Sequence, residues 1–452
     1  MVKARRYRNA FSRLSYMYKK DIINFLFVSG FPVYGVGNYV SAVISPSAGY
    51  LVSVFPCLLI IFFYLIDIAY RREFSMRVTP WFAAGLLLIA LNIISLFRSL
   101  NNGLPEEHLS MTLLKSVMLT APFLAFVIVR LYNRDHPSRA PNLTFLSLSI
   151  LIGINIAGFF VLGLSNGVHS IENRVNFPFL DGFYSGACIL AILNLMIIYY
   201  IMKGPRQPIR VAMLLAYFAM NSLLIFQINS RISILIFLFV AALLVFRLLD
   251  KARGLFIASL FTIPVLLSSG IILYEILSLP FFASVLQRVD LQDVTTFNGR
   301  AFIWENAMDW LLHDQRGLLF GNGYKGHYFL DLISDVAKMW NEKEVHHMHL
   351  HSTSLEYLTS QGVFGFAIFS LVIYRLLVSY RRDFTAGRPA GVFLAVIVFL
   401  LFILQVDAFL YMEASGGVIF ALLFSDLAVK QDVPGTIPAV LKISYNKFGI
   451  PQ

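Results

Sequence analysis

Charge is what this chain has least of. Asp, Glu, Lys and Arg make up 13% of its 452 residues, against roughly a quarter in soluble domains, and that shortfall excludes an ordinary water-soluble fold. Cysteine is nearly absent too. Cys57 and Cys188 stand alone inside apolar runs, which excludes a disulfide framework or a cysteine-based metal centre and leaves both thiols as small core hydrophobes. A cleavable signal peptide is not expected, because the first apolar run follows a basic stretch and no small-residue cleavage site follows it.

What fills the chain instead is apolar helix. Hydrophobic residues reach 58% and mean hydropathy is +0.73, so the fold class is an all-α polytopic membrane protein. The net charge of +11 would suggest nucleic acid only if the basic residues formed a stripe. They fall in short clusters between apolar runs, as topology determinants do, and no nucleic-acid partner is expected.

Runs of the roughly 20 residues needed to cross a bilayer begin near Ile22, Gly49, Pro80, Met111, Asn142, Phe179, Ile209, Ile232, Leu255, Ser354, Gly391 and Gly416. That is about 12 transmembrane helices. The exits of even-numbered spans are basic (Arg71, Arg72 and Arg77; Arg130, Arg134 and Arg139; Lys203, Arg206 and Arg210; Arg247, Lys251 and Arg253; Arg381, Arg382 and Arg388), whereas the opposite turns carry little positive charge. This alternation predicts both termini in the cytoplasm. The expected organisation is a cytoplasmic amphipathic N-terminus (1–21), nine spans (22–278), one large outer loop containing short helices (279–352), three more spans (353–430) and a cytoplasmic tail (431–452). The outer loop cannot lie bare in hydrocarbon, since each unpaired backbone amide there costs several kcal/mol.

Basic residues on the outer face need a reason. Arg231 follows Ser230, a plausible N-cap, so it falls in the first turn of a membrane helix, where the macrodipole disfavours a cation. It either snorkels to lipid phosphates or serves as an anion clamp, for which a guanidinium fork suits phosphate. Arg300, in Asn298-Gly299-Arg300, is a second candidate, and Arg174 is a third that reads equally as a solvated loop charge. His346, His347, His349 and His351 cluster just ahead of the tenth span. Their spacing does not match the usual zinc patterns, so no metal site is expected. Thr353 and Glu356 have capping-box spacing, which sets His351 ahead of the helix's positive end. There the imidazole stays neutral and able to accept a proton, as a general base for a sugar hydroxyl requires. The outer loops show no D-x-D pair to hold a divalent cation. Any phosphate handled there is then neutralised by arginine.

Ser230-Arg231, Asn298-Gly299-Arg300 leading into IWENA, the turn Gly321-Asn322-Gly323-Tyr324, and His351 with Leu355, Glu356, Gly362 and Gly365 together resemble the bacterial O-antigen ligase and O-antigen polymerase superfamily. The motifs cover the second half of the chain and the topology covers all of it. One departure is His351-Ser352 where the family often has His-Asn. The resemblance implies a metal-independent, cofactor-free membrane glycosyltransferase of the C class in the bacterial inner membrane. It would take a glycan from undecaprenyl diphosphate at the periplasmic face and pass it to an acceptor glycan, either lipid-linked or lipid A core. Carried over by residue, Arg231 and Arg300, with Arg174 assisting, would hold the donor diphosphate, and His351 would activate the acceptor. His349, Trp304 and Tyr324 would be substrate-binding; Trp304, Trp310, Tyr324 and Tyr328 read either as sugar platforms or as interfacial anchors. The polymerase is preferred on the NGRAFIW to FGNGY pattern, with the ligase as alternative. A lipid-linked sugar transporter would instead place charges at mid-membrane and keep its outer loops short. Lys115 has no assigned role.

Overall fold

The computed structural model describes residues 2–71, 73–136, 138–164, 175–266, 299–411, 415–429 and 439–444. Helices α1 (Val2–Val43) and α2 (Pro46–Arg71) form an antiparallel pair, followed by strand β1 (Glu73–Val78). Helix α3 (Pro80–Asn101) starts where its sequence dictates: Thr79 caps it, its Oγ1 accepting the Trp81 N–H at 3.2 Å, and Pro80 occupies the first turn, where no N–H is required. Then come α4 (Leu109–Tyr132), α5 (Arg139–Ile156), α6 (Gly182–Lys203), α7 (Pro208–Ile228), α8 (Arg231–Val245) and α9 (Ala252–Leu260). Three short helices, α10 (Arg300–Asp309), α11 (Gly326–Phe329) and α12 (Ser334–Met339), precede α13 (Thr353–Thr385), α14 (Val392–Val406) and α15 (Ser415–Val429). Strand β2 (Ala439–Ser444) pairs antiparallel with β1, Glu73 opposite Ser444. This two-stranded ribbon was not expected from the sequence.

Among the described residues, nine helices are long and apolar enough to cross a membrane: Lys19–Val43, Pro46–Tyr70, Pro80–Asn101, Leu109–Tyr132, Arg139–Val161, Gly182–Lys203, Pro208–Ile228, Thr353–Thr385 and Pro389–Val406. They match the first seven, the tenth and the eleventh of the twelve expected runs. The eighth and the start of the ninth are joined in a pair bent by 108°, because Arg247 adopts a left-handed conformation (φ 58°) that ends α8 before the short turn Leu248–Lys251. From residue 267 the ninth run lies outside the described residues, as does the outer loop up to residue 298. The twelfth, α15, has 15 residues and spans only about 22 Å at 1.5 Å per residue.

Burial sorts the helices into an inner and an outer set. The apolar stretch of α14 is 89% buried and that of α6 is 78% buried, against 22% for α7. A helix apolar all round belongs at the centre, and α14 packs against α6, α8 and α13. Phe62, Leu223 and Phe226 point outward from α2 and α7, as lipid-facing side chains do.

The segment 299–352 has a core of its own. Ile303, Trp304, Ala307, Trp310, Ile333, Val336 and Leu350 cluster with Leu355 of α13 and Val406 of α14. Its docking point is a break in α13 at Gly362 (φ 70°, ψ −172°). The break frees backbone carbonyls, and the glycine turn takes them: Asn322 N–H donates to Thr359 O at 2.8 Å and Gly323 N–H to Ser360 O at 3.0 Å. Val363 N–H in return donates to Leu318 O at 2.7 Å. Gly321 (φ 73°) must be glycine, since a Cβ there would lie 2.1 Å from Ser360 O.

Candidate functional site

A cavity of about 530 Å³ opens where α1, α2, α4 and α6 meet the segment ahead of α13, a size suited to a small-molecule substrate group. Its wall includes Tyr34, Asp181, Tyr184, Tyr324, Lys325, His327, His347, His349, Glu356, Asp407 and Tyr411. Titratable and hydroxyl-bearing side chains thus converge in one concave surface of an otherwise apolar protein.

Arg300 lies just behind that wall. It is 2% exposed, its guanidinium sits 4.9 Å from the centroid of the Tyr184 ring, and Nη2 is 3.7 Å from Asp407 Oδ2. Neither Nη1 nor Nη2 has a hydrogen-bond partner, and Asp407 Oδ2 has none either. Burial pushes the Asp407 carboxyl above the usual carboxylate range, against the pull of Arg300 and then His349. Arg300 follows Gly299 (φ 77°) at the start of α10, and the position of α10 is fixed by the buried indole of Trp304, which donates to Leu350 O at 3.1 Å.

His351 and His349 face one another with ring centroids 4.1 Å apart. His351 has a left-handed backbone (φ 48°), and its Nδ1 is buried without a partner. Burial, then His349 and Arg300, hold the His351 imidazole well below its ordinary value; burial lowers His349 in the same way. The neutral imidazole expected at His351 is therefore favoured, with desolvation, His349 and Arg300 as the cause in place of the helix end. The capping box forms differently from expectation. Ser352 is the N-cap, its Oγ accepting the Leu355 N–H at 3.3 Å, while Thr353 donates to Asp407 O at 2.8 Å. Glu356 is thereby free for another task. Its Oε1 accepts the Leu350 N–H at 2.7 Å and its Oε2 meets His327 Nδ1 at 3.0 Å, both side chains essentially unexposed.

The expected site residues are only partly brought together. Arg300, His349 and His351 share one neighbourhood through the pairwise influences above. Arg231 is exposed at the first turn of α8, does not line the cavity, and makes no ion pair among the described residues. Ser230 stands at the N-cap position, yet its hydroxyl donates to Ser233 Oγ at 2.8 Å instead of capping the backbone. Arg174 lies outside the described residues. Tyr324 lines the cavity and stacks on Tyr411, centroids 5.8 Å apart. Trp304 and Trp310, in contrast, are 0% and 2% exposed; they are core residues with no open face for a sugar, because α10 turns its aromatic side inward. Lys115 acquires a place: its Nζ is 2.6 Å from Glu107 Oε2 and 4.7 Å from the Tyr324 ring centroid.

Sequence reasoning missed His327, Asp407 and Tyr184. His327 stands just past the Gly321–Tyr324 turn, between Gly326 and Tyr328, and was passed over there, while Asp407 and Tyr184 lie far in sequence from the motifs and Glu356 was named for a different partner. It also missed Arg98, a cation in the last turn of α3 whose guanidinium donates to the carbonyls of Phe320 and Gly321 and so holds the glycine turn.

Residues 216–370 match the protein family described as O-Antigen ligase. The matched stretch begins within α7 and ends within α13, and so contains Arg231, Arg300, His327, His349, His351 and Glu356. No curated protein matches the chain. The family match supports the O-antigen ligase and polymerase superfamily, and with nine membrane-length helices it supports a multi-pass membrane protein with that type of function.

Proposed function

We propose, starting from the match of residues 216–370 to the O-antigen ligase family, that this protein transfers a glycan from a lipid diphosphate carrier to a hydroxyl of an acceptor glycan. Transfer takes place at the periplasmic face of the bacterial inner membrane, with undecaprenyl diphosphate as the carrier and without a catalytic metal. The observation that carries this reading is the buried Arg300 guanidinium, with donors left unpaired, beside an imidazole that its surroundings keep neutral. A guanidinium can take a diphosphate oxygen pair through parallel hydrogen bonds; a neutral imidazole can take a proton.

In the reaction the acceptor oxygen attacks the anomeric carbon, the carbon–oxygen bond to the diphosphate breaks, and its electron pair leaves with the lipid diphosphate. The acceptor proton passes to His351. Arg300 and Arg231 stabilise the charge that grows on the leaving group, Arg174 assists, and Tyr324 and His349 hold sugar.

Within this class we assign the polymerase branch, extending one lipid-linked glycan with another, on the pattern running from Arg300 to Tyr324. The ligase reading, with lipid A core as acceptor, is favoured by the description of the matching family. A deletion strain separates them: single repeats still attached to the surface indicate the polymerase, whereas loss of all attached glycan indicates the ligase. For the chemistry itself the test is His351→Ala in purified protein. Transfer should fall by about 10²–10⁴, the usual contribution of a general base, with lipid-linked donor still bound. Turnover at the wild-type rate in that variant overturns the assignment.

A further inference from the structure

We propose that Glu106, His346 and His347, oriented by Glu344, form a binding site for a divalent transition-metal ion of the zinc type at the rim of the cavity. Glu106 belongs to the loop between α3 and α4, and the other three lie just before α13. The fold brings their ligand atoms, one from each residue, within 4.8 Å of one another.

His347 decides the geometry. Its Nδ1 is 2.8 Å from Glu344 Oε2 and its Nε2 is 3.0 Å from Glu106 Oε2. Each ring nitrogen thus faces a carboxylate; with an ion bound, Nδ1–H donates to Glu344 and the Nε2 lone pair turns from its hydrogen bond with Glu106 to the metal that both then share. A carboxylate such as Glu344 is the usual second partner of a metal-bound imidazole. His346 Nε2 comes to 3.8 Å from the same Glu106 oxygen, has no hydrogen-bond partner, and is itself shielded from solvent. Three electron-pair donors thus face one point. Zinc bonds of about 2.0–2.2 Å in tetrahedral array set donors roughly 3.3 Å apart, between the two separations found at Glu106. The donor set of two imidazoles and one carboxylate, with a fourth position towards solvent, suits zinc and its neighbours and not calcium or magnesium, which prefer oxygen alone.

The backbone under the site is held in place. Lys325 Nζ donates to His346 O, and His347 N–H donates to Glu344 O at 2.8 Å. Because His347 also lines the cavity, a bound ion ties the α3–α4 loop to the segment carrying His349 and His351 and so fixes one side of the opening. The ion carries no step of the transfer described above, and the site stands whether or not that transfer is correct.

The experiment is zinc titration of the full-length protein in detergent, followed by calorimetry, with calcium as the contrasting probe. One zinc per chain is expected, with affinity weakened at least tenfold in Glu106→Gln and in the double variant His346→Gln/His347→Gln, and about 10–100-fold in Glu344→Gln as for other orienting partners. The exposed pair His313–Asp309 is the control, and His313→Gln should bind as the wild type does. These side chains are mostly exposed, so melting curves of the variants without zinc should overlay the wild type. Absence of zinc binding, equal affinity for calcium, or unchanged binding in Glu106→Gln and the double variant overturns the proposal.

Discussion

A guanidinium almost fully buried beside a single carboxylate 3.7 Å away is expensive to maintain, because unmade hydrogen bonds to charged groups inside a protein forfeit about 1–3 kcal/mol or more. In the proposed function diphosphate binding recovers that cost, and on that reading Arg300→Lys should raise the concentration of donor needed for half-maximal rate and lower the rate itself: an ammonium keeps the charge and loses the fork. Normal kinetics in the lysine variant would remove Arg300 from the clamp. His351 yields a prediction in pH. Its imidazole is held below the ordinary value of 6.5 by burial, His349 and Arg300, so the neutral form survives acidification and the acid limb of the rate profile should lie below that value instead of at it. The sign for stability follows from the same shift. The unfolded chain takes up the proton first, so the contribution to folding is complete above about 6.5 and declines as pH falls towards the folded-state value. Initial rates and melting temperatures measured across the same pH series check both. Glu356 is the residue whose loss should be most costly. Glu356→Ala strands the Leu350 N–H and His327 Nδ1, each a buried group worth about 1–3 kcal/mol when unpaired, and thermal unfolding should fall accordingly. Glu356→Gln keeps an acceptor for Leu350 and should fall less.

At the scale of elements, the contact that positions the site is the glycine turn seated in the break of α13. Alanine at Gly321 or Gly362 combines a left-handed backbone with a Cβ that meets backbone atoms at 2.1 Å and 2.4 Å. Either change should destabilise by more than about 1–3 kcal/mol, the ordinary cost of a strained residue. Gly103 is the comparison. It has a similar φ of 74° but nothing within 4 Å of its Cβ position, so Gly103→Ala should show the backbone term alone. Melting temperatures of the three variants in one detergent separate strain from collision; equal losses in all three would remove the docking argument. The sequence displayed Gly321, Gly323 and Gly362 as motif letters without saying that they meet. Their partnership depends on carbonyls released at a kink, and a kink inside an apolar run leaves no periodicity to read. Helix starts were more legible, since Thr79-Pro80 and Ser230-Arg231 both mark true N-termini. Trp304 misled because an aromatic in a polar segment looks interfacial, whereas α10 has a small core beneath it.

For the whole molecule, hydrophobic run length made most of the spans legible, since a stretch of about 20 apolar residues has few alternatives to crossing a bilayer. At α8 and α9 the helices are short and meet at a 108° turn, placed at the basic stretch Arg247–Arg253 where the sequence reads an exit between two runs. Sidedness rests on the alternation of basic clusters, and the fold now gives it an internal check. The turns after α1 and α3, the residues before α6 and the segment 299–351 all border one cavity or dock beside it, so they must share a face. Both native cysteines are buried, Cys57 at 7% and Cys188 at 0% exposure, which keeps a labelling reagent from either thiol and leaves a silent background. A cysteine placed at exposed Lys343 should react with a membrane-impermeant maleimide in intact spheroplasts. One placed at exposed Arg206, in the basic turn between α6 and α7, should react only after the membrane is opened. The reverse pattern would turn the cavity towards the cytoplasm. It would then be cut off from any acceptor assembled outside the inner membrane, and the proposed transfer would have no second substrate.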